Sequence, residues 1–214
     1  MTLSTLFRHT LSTHGLIAIL RGLRPEEARD IGLALHGAGI RLIEVPLNSP
    51  DPLQSIRILR DTLPDDTLVG AGTVLQPEAC ADIAKAGGQL VVMPHSDPAV
   101  VRAAKALDLA CAPGVATPTE AFAALAAGAD VLKMFPAETL GPMGLKAWRA
   151  VLTPPVAIVP VGGVTPDALA PYLAAGASGF GLGSALYRAG DNAATVAQRA
   201  TAFVRAWQQA TAAV

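Results

Sequence analysis

The chain has 214 residues, of which 51% are hydrophobic and 15% charged, and its formal net charge is −1. That length suits one large core, since α/β barrels of about 200 to 250 residues commonly form a single domain. With no cluster of Lys or Arg and no apolar run of the ~18 residues that a membrane span needs, the sequence predicts a soluble protein without nucleic-acid or membrane partners.

The two cysteines, Cys80 and Cys111, have neither CxxC nor metal-ligand spacing. This pattern favours a reducing cytoplasm and makes a disulfide framework or a structural metal site unexpected. Residues 1–14 lack the basic start, apolar middle and small-residue cleavage site of a signal peptide. They predict instead a short amphipathic helix that caps the domain that follows.

Eight short β-rich runs alternate with Ala/Leu-rich segments of helical period along the rest of the chain. The predicted strands are 15–21, 41–47, 67–73, 89–93, 109–112, 130–135, 156–161 and 178–183. Most intervening helices open with a proline beside an N-cap candidate or an acid, and four end in glycine before the next strand. The predicted helix starts are at Pro25, Pro50, Pro77, Pro98, Pro118, Gly141-Pro142 and Pro166. Strands that alternate with helices indicate a parallel sheet.

Eight such units after one helix predict a (β/α)8 TIM barrel with an N-terminal capping helix, formed by residues 1–214 as a single domain. The competing architecture is a doubly wound open sheet. That fold usually places a GxGxxG turn after its first strand, and the sequence from Ile19 to Leu23 has none.

The predicted strand 130–135 contains one lysine, Lys133, in an otherwise apolar setting. A buried ammonium costs several kcal/mol to desolvate, and burial favours the neutral amine that attacks a ketone to form a Schiff base. Two other interpretations remain open at this point. Lys133 can extend to water at the strand end, or it can pair with Asp130.

Further polar residues fall at predicted strand ends, where the active site of a barrel lies. Glu44 is on the second strand, so a buried ion pair between Lys133 and Glu44 is a third interpretation. Arg21 follows the first strand and offers a two-pronged donor for a carboxylate, with helix capping or surface pairing as its alternative. Thr73 ends the third strand, and His95, in the loop after the fourth, has no assigned role.

Glycines follow the last two predicted strands. In many barrels these two loops hold a phosphate on backbone N–H groups. Gly162 and Gly163 follow the seventh strand, and Gly183 and Ser184 follow the eighth. The pattern predicts a phosphate site built without a basic side chain, and no acidic cluster predicts a catalytic metal ion.

Taken together, the motifs resemble the 2-keto-3-deoxy-6-phosphogluconate and 6-phosphogalactonate aldolases, which are class I enzymes. The resemblance runs nearly end to end, and its motifs are Glu44-Val-Pro-Leu47, Gly70-Ala-Gly-Thr-Val-Leu75, Pro113-Gly114, Lys133-Met-Phe-Pro-Ala137, Gly162-Gly163 and Gly181-Leu-Gly-Ser184. It implies that Lys133 forms the Schiff base and that Glu44 is the acid/base acting through a water.

The same resemblance implies the substrate contacts. Thr73 would lie near the pyruvate portion and Val161 near the hydroxyl that distinguishes the two sugar acids. Phe135 would also bind the substrate, and Gly162, Gly163, Gly183 and Ser184 would surround the phosphate. It also implies a homotrimer, no metal and no cofactor.

Two departures from the gluconate-type pattern point to the galactonate branch. That pattern has L-R-T after the strand-two glutamate and P-T-G-G after strand seven, whereas this chain has Leu47-Asn48-Ser49 and Pro160-Val161-Gly162-Gly163. Arg21 in L-R-G then becomes the expected carboxylate binder. We therefore expect cleavage of 2-dehydro-3-deoxy-6-phosphogalactonate, a phosphorylated keto-deoxy sugar acid. The alternatives are gluconate-type or dual-epimer activity, a phosphate-binding barrel isomerase, epimerase or synthase, and a sugar-phosphate-binding barrel without catalysis.

Overall fold

The computed structural model describes residues 2–212, which form nine α-helices and nine short strands. The strands are β1 (Leu16–Ile19), β2 (Leu42–Pro46), β3 (Leu68–Gly72), β4 (Leu90–Val92), β5 (Ala110–Ala112), β6 (Gly114–Val115), β7 (Leu132–Met134), β8 (Ile158–Pro160) and β9 (Phe180–Leu182). The helices are α1 (Leu3–His14), α2 (Pro25–Ala38), α3 (Pro52–Thr62), α4 (Ala79–Lys85), α5 (Pro98–Ala106), α6 (Pro118–Ala126), α7 (Ala137–Trp148), α8 (Leu169–Ala174) and α9 (Ala193–Ala212). In this part of the chain no helix is long and apolar enough to cross a membrane.

All strand pairs are parallel, which confirms the predicted α/β class. Six strands form one curled sheet in the order β5-β4-β3-β2-β1-β9, and three form a second in the order β6-β7-β8. The predicted fifth strand is followed by an extra segment, β6, because Pro113 lacks the N–H that would continue the ladder. A single parallel bridge between Val161 and Gly181 joins the other ends of the two sheets.

The predicted helix starts are largely confirmed. Helices α2, α5 and α6 begin at the expected prolines, and α6 has a full capping box in which Thr117 Oγ1 accepts from the N–H of Glu120 and the Glu120 carboxylate accepts from the N–H of Thr117. The start predicted at Gly141-Pro142 falls at a kink inside α7. This helix begins at Ala137, Gly141 has non-helical angles of φ 67° and ψ 170°, and a second helical stretch follows it.

Side chains alternate between two apolar clusters. The larger cluster lies between the helices and one face of the strands, and it includes Ile43 and Val45 of β2. The smaller cluster lies on the opposite face and includes Leu42, together with Phe7 and Leu11 of α1. Because side chains two apart on a strand share a face, Glu44 lies on the Leu42 side.

The carboxylate of Asp130 anchors α1 to the rest of the fold. Its Oδ2 accepts from Lys105 Nζ at 2.7 Å and from the N–H of Cys111 at 2.9 Å, while its Oδ1 lies 3.5 Å from Arg8 Nη1. Lys105 also donates to Ser4 Oγ on α1. The Asp130 side chain is only 4% exposed, so its charge depends on these partners.

We expect Asp130→Asn to lower the free energy of unfolding by about 2–4 kcal/mol, because it leaves the half-buried ammonium of Lys105 without its countercharge. Urea unfolding followed by circular dichroism measures the loss. Asp82→Asn is the matched control, since the Lys85–Asp82 pair is well exposed and we expect about 0.5 kcal/mol or less. Equal losses in the two variants would contradict the anchoring role of Asp130.

Candidate active site

A cavity of about 600 Å³ lies at the ends of β1, β7, β8 and β9 and in the loops that follow them. Eight of the ten predicted site residues line it: Arg21, Lys133, Phe135, Val161, Gly162, Gly163, Gly183 and Ser184. The other two, Glu44 and Thr73, lie outside the lining, although Thr73 contacts Arg21, which lines the cavity. The structure thus brings the residues predicted from separate strands to one place.

Lys133 lies in the middle of β7 and is 7% exposed. Its backbone N–H donates to Pro113 O at 2.9 Å, and its Nζ lies 4.8 Å from the centroid of the Phe135 ring, a cation–π distance. Burial lowers the pKa of Lys133; Glu44 opposes this effect, whereas Arg21 adds to it. The side chain is therefore biased toward the neutral, nucleophilic amine.

The ion pairs predicted as alternatives for Lys133 are not formed. Asp130 is occupied by Lys105 and Arg8, and none of the ion pairs within residues 2–212 joins Lys133 to Glu44. Likewise, no side-chain hydrogen bond in this range uses the Lys133 amine. The amine is thus buried against an aromatic ring at the wall of the cavity, and no carboxylate of a described residue pairs with it.

Glu44 lies in β2 and is 2% exposed, and its Oε2 has no hydrogen-bond partner among the described residues. Burial raises the pKa of this carboxyl to about 7, although Lys133 and then Arg21 act in the opposite direction. A carboxyl that titrates near neutrality is suited to both accept and donate a proton. The Glu44 carboxylate fits here because residue 72 is glycine, and any Cβ at that position would overlap the carboxylate. We did not assign Gly72 from sequence, although it is the second glycine of the Gly70-Ala-Gly run.

Arg21 is held in place by two neighbouring loops. Its Nη1 donates to Asn48 Oδ1 at 2.7 Å and its Nη2 to Thr73 Oγ1 at 3.4 Å. The next residue, Gly22, donates its N–H to Ser49 Oγ at 2.9 Å. Thr73 adopts φ 54°, an unusual value for a β-branched residue. Arg21 therefore caps no helix and forms no ion pair with a described residue. Asn48 is part of the Leu47-Asn48-Ser49 motif, but its contact with Arg21 was not predicted from sequence.

The two glycine loops form the other end of the cavity. Gly162 and Gly163 have φ 107° and 65°, and a Cβ on either would approach the side chain of Glu138. Within the described chain, the N–H groups of these glycines and of Ser184 have no hydrogen-bond acceptor. They are thus free to donate to a ligand, as the phosphate prediction requires.

Two charged residues at this end were not predicted. Glu138, on α7, and Arg188, four residues after Ser184, both line the cavity. Arg188 is the basic side chain that the glycine pattern alone did not reveal. His95 does not line the cavity; its backbone O accepts from the N–H of Gly114. No group of three or more His, Cys, Asp or Glu in residues 2–212 is arranged to hold a metal ion.

The sequence pattern of a family described as KDPG and KHG aldolase matches residues 8–199, a span that contains every site residue above. The chain belongs to this family. Its identity to individual aldolases also extends over most of the chain. It is 49% identical to the 2-dehydro-3-deoxy-6-phosphogalactonate aldolase of Escherichia coli over 91% of this chain and 95% of that protein.

Two further relatives agree. A protein of Rhizobium meliloti named as a probable 2-dehydro-3-deoxy-6-phosphogalactonate aldolase is 50% identical over 90% of this chain and 91% of its own length. The solved structure described as native KDPGal superposes with a TM-score of 0.90 at 48% identity, covering 92% of this chain and 96% of that one. The predicted family is therefore confirmed.

The raised pKa of Glu44 gives this aldolase-family chain a pH-dependent stability. Below about pH 4.5 the carboxyl is protonated in both folded and unfolded chains, so this contribution to stability is fully present. It is lost as pH rises through the folded-state value of about 7. We expect Glu44→Gln, which is neutral throughout, to gain roughly 2–3 kcal/mol of unfolding free energy relative to the parent between pH 4.5 and 8.

Urea unfolding of both proteins at these two pH values measures the difference. Glu78→Gln is the matched control, because Glu78 is exposed and forms no ion pair with a described residue. A gain that is the same at both pH values, or that also occurs in the control, would show that burial does not perturb Glu44.

Proposed function

We propose that this chain is a class I aldolase that reversibly cleaves 2-dehydro-3-deoxy-6-phosphogalactonate to pyruvate and D-glyceraldehyde 3-phosphate. The observation that carries the proposal is the buried, unpaired amine of Lys133 at the cavity wall, on the strand face shared with a carboxyl, Glu44, whose pKa is near 7. The names of the relatives at about half identity support the same substrate.

The chemistry begins with the Lys133 amine. Neutral Nζ adds to the substrate ketone, and the carbinolamine loses water to form a protonated imine. The bond between substrate carbons 3 and 4 then breaks, and its electron pair moves into the imine to give an enamine. Glu44, through a water molecule, takes the proton of the hydroxyl that becomes the aldehyde. Protonation of the enamine and hydrolysis of the imine release pyruvate and restore the amine.

The remaining site residues orient the substrate. Arg21, held by Asn48, binds the carboxylate of the pyruvate portion, with Thr73 beside it. Phe135 packs against the reacting amine. The free N–H groups of the loops that contain Gly162, Gly163, Gly183 and Ser184 bind the phosphate at the far end. The substrate is thereby fixed at both ends of its chain, with the bond to be cleaved between them.

The architecture and assembly belong to the same proposal. The Val161–Gly181 bridge on one side, and the continuity of β5 and β6 around Pro113 on the other, support a closed (β/α)8 barrel formed by the chain as a single domain. Phe7 and Leu11 pack into the smaller apolar cluster, which supports α1 as the cap of one barrel end. The well-exposed side chain of Met143 supports a further interface, as in a homotrimer. The two free cysteines suit a cytoplasmic enzyme.

The competing barrel isomerases, epimerases and synthases would use carboxylate or cysteine bases at strand ends. Among the described residues Glu138 is the one carboxylate that lines this cavity, and both cysteines are buried outside the lining. A barrel that only binds a sugar phosphate would not need a buried amine. Trapping of a pyruvate adduct on Lys133 by borohydride separates all these functions from an aldolase.

Borohydride reduction in the presence of pyruvate should add the mass of one reduced pyruvate to the peptide containing Lys133, since it reduces the imine to a stable secondary amine. Peptide mass spectrometry locates the adduct. Lys133→Met should form no adduct and release no pyruvate in a coupled lactate dehydrogenase assay. Lys146→Met, which removes an exposed lysine of α7, is the control that should retain both. Full cleavage by Lys133→Met would refute the mechanism.

The galactonate preference is tested by measuring kcat/KM for both epimeric 6-phosphates side by side. We expect the galactonate epimer to be preferred. Val161→Thr restores the hydroxyl of the gluconate-type motif and should shift the ratio toward the gluconate epimer by roughly 5- to 100-fold, the effect of one hydrogen-bonding group. Val151→Thr, an exposed site, is the control. An unchanged ratio in Val161→Thr would mean that this position does not set specificity.

A further inference from the structure

The phosphate end of the cavity contains a negative charge of the protein itself. Glu138 lies over the loop of Gly162 and Gly163, so closely that a Cβ on Gly162 would collide with its carboxylate. A phosphate placed on the free N–H groups of this loop would therefore be near a second anion. The partial charges of backbone N–H groups are small compared with a full carboxylate charge. This end of the cavity needs a full positive charge that the glycine motifs do not supply.

Arg188 is placed to supply that charge. Its Nε donates to Ser184 O at 3.1 Å, which holds the guanidinium next to the second glycine-containing loop, and the residue lines the cavity. Its two terminal nitrogens have no acceptor among the described residues, and it forms no ion pair there, so two donors remain available. A guanidinium with free terminal donors matches the oxygens of a phosphate in a bidentate manner.

The segment that carries Arg188 is anchored at several points. The backbone N–H of Arg188 donates to Asp191 Oδ2 at 2.8 Å, and Arg199 contacts the same oxygen. The preceding Tyr187 is buried and donates to Glu27 Oε2 at 3.5 Å. These contacts fix the backbone on both sides of Arg188, so less conformational freedom is lost when its side chain binds an anion.

We infer that Arg188 is a further binding residue for the phosphate of the substrate and offsets the charge of Glu138 at that end of the cavity. The inference rests on the proposed function, since it concerns the same site. Arg188 would discriminate phosphorylated from unphosphorylated keto-deoxy sugar acids, and it would take no part in the reactions of Lys133 with pyruvate.

Steady-state cleavage tests this role with the 6-phosphorylated sugar acid and with the same compound lacking the phosphate. Arg188→Gln should raise KM for the phosphorylated compound by roughly 10- to 100-fold with little change in kcat, the effect of a charge-assisted hydrogen bond. It should leave kcat/KM for the unphosphorylated compound and borohydride trapping of pyruvate unchanged. Arg188→Lys should be intermediate, because it keeps the charge but loses the bidentate geometry.

Arg205→Gln is the matched control, because it removes an exposed arginine of α9 that does not line the cavity. An unchanged KM in Arg188→Gln, or an equal loss on both compounds, would overturn the assignment.

Binding of inorganic phosphate, measured by calorimetry, tests the site without catalysis and should weaken in Arg188→Gln alone. A parent that binds phosphate in this way but releases no pyruvate would refute the proposed function while supporting Arg188. A parent that cleaves normally, with no change in Arg188→Gln, would refute Arg188 only.

Discussion

Two opposite charges, Lys133 and Glu44, are buried on the inner side of one fold without forming an ion pair. Such a pair would be the simplest way to compensate both groups, but it would hold the amine protonated and the carboxylate ionised. Without an ion pair, the effect of burial on each pKa outweighs the attraction between the two groups, which opposes both shifts. The pKa of Lys133 falls and that of Glu44 rises to about 7. Glu44 can then exchange protons near neutral pH, while Lys133 is biased toward its neutral form.

The surrounding structure maintains this separation. Asp130, only three residues from Lys133, is fully engaged by Lys105, Arg8 and a backbone N–H, so it does not compete for the amine. Gly72 leaves the space in which the Glu44 carboxyl lies. Asn48 and Thr73 hold Arg21 at the cavity, where its charge acts on both buried groups. The contacts that maintain the fold therefore also leave the Lys133 amine without an ion pair among the described residues.

The far end of the cavity follows a different electrostatic principle. There the ligand would be recognised by backbone N–H groups in two glycine-containing loops, beside one carboxylate, Glu138, and one guanidinium, Arg188. Backbone donors set position and geometry, whereas full charges set the strength and the charge selectivity of binding. The separation of the two ends matches a substrate with a reactive ketone at one end and a phosphate at the other.

The sequence by itself determined the alternation of strands and helices, the helix starts near prolines and the placement of Lys133 and Glu44 on buried strands. These features depend on local conformational preferences and, for strands, on the alternation of side chains with a period of two residues. Both can be recognised in short stretches of sequence. The sequence also contained the motifs of the family. It did not reveal that Pro113 divides one strand into β5 and β6, or that Gly141 interrupts α7.

Only the tertiary structure decided which charges meet. Arg21 contacts Asn48 and Thr73, which lie 27 and 52 residues away in sequence, and Lys105 reaches Ser4 over 101 residues. Arg188 is close to Ser184 in sequence, yet it lines the same cavity as Gly162, Gly163 and Glu138 because β8 and β9 come together. No local pattern encodes such contacts, because they arise from the packing of strands and loops that are distant in the chain. Whether Lys133 forms an ion pair with Asp130 depends on such contacts too. In the structure Asp130 pairs with Lys105 and Arg8 instead.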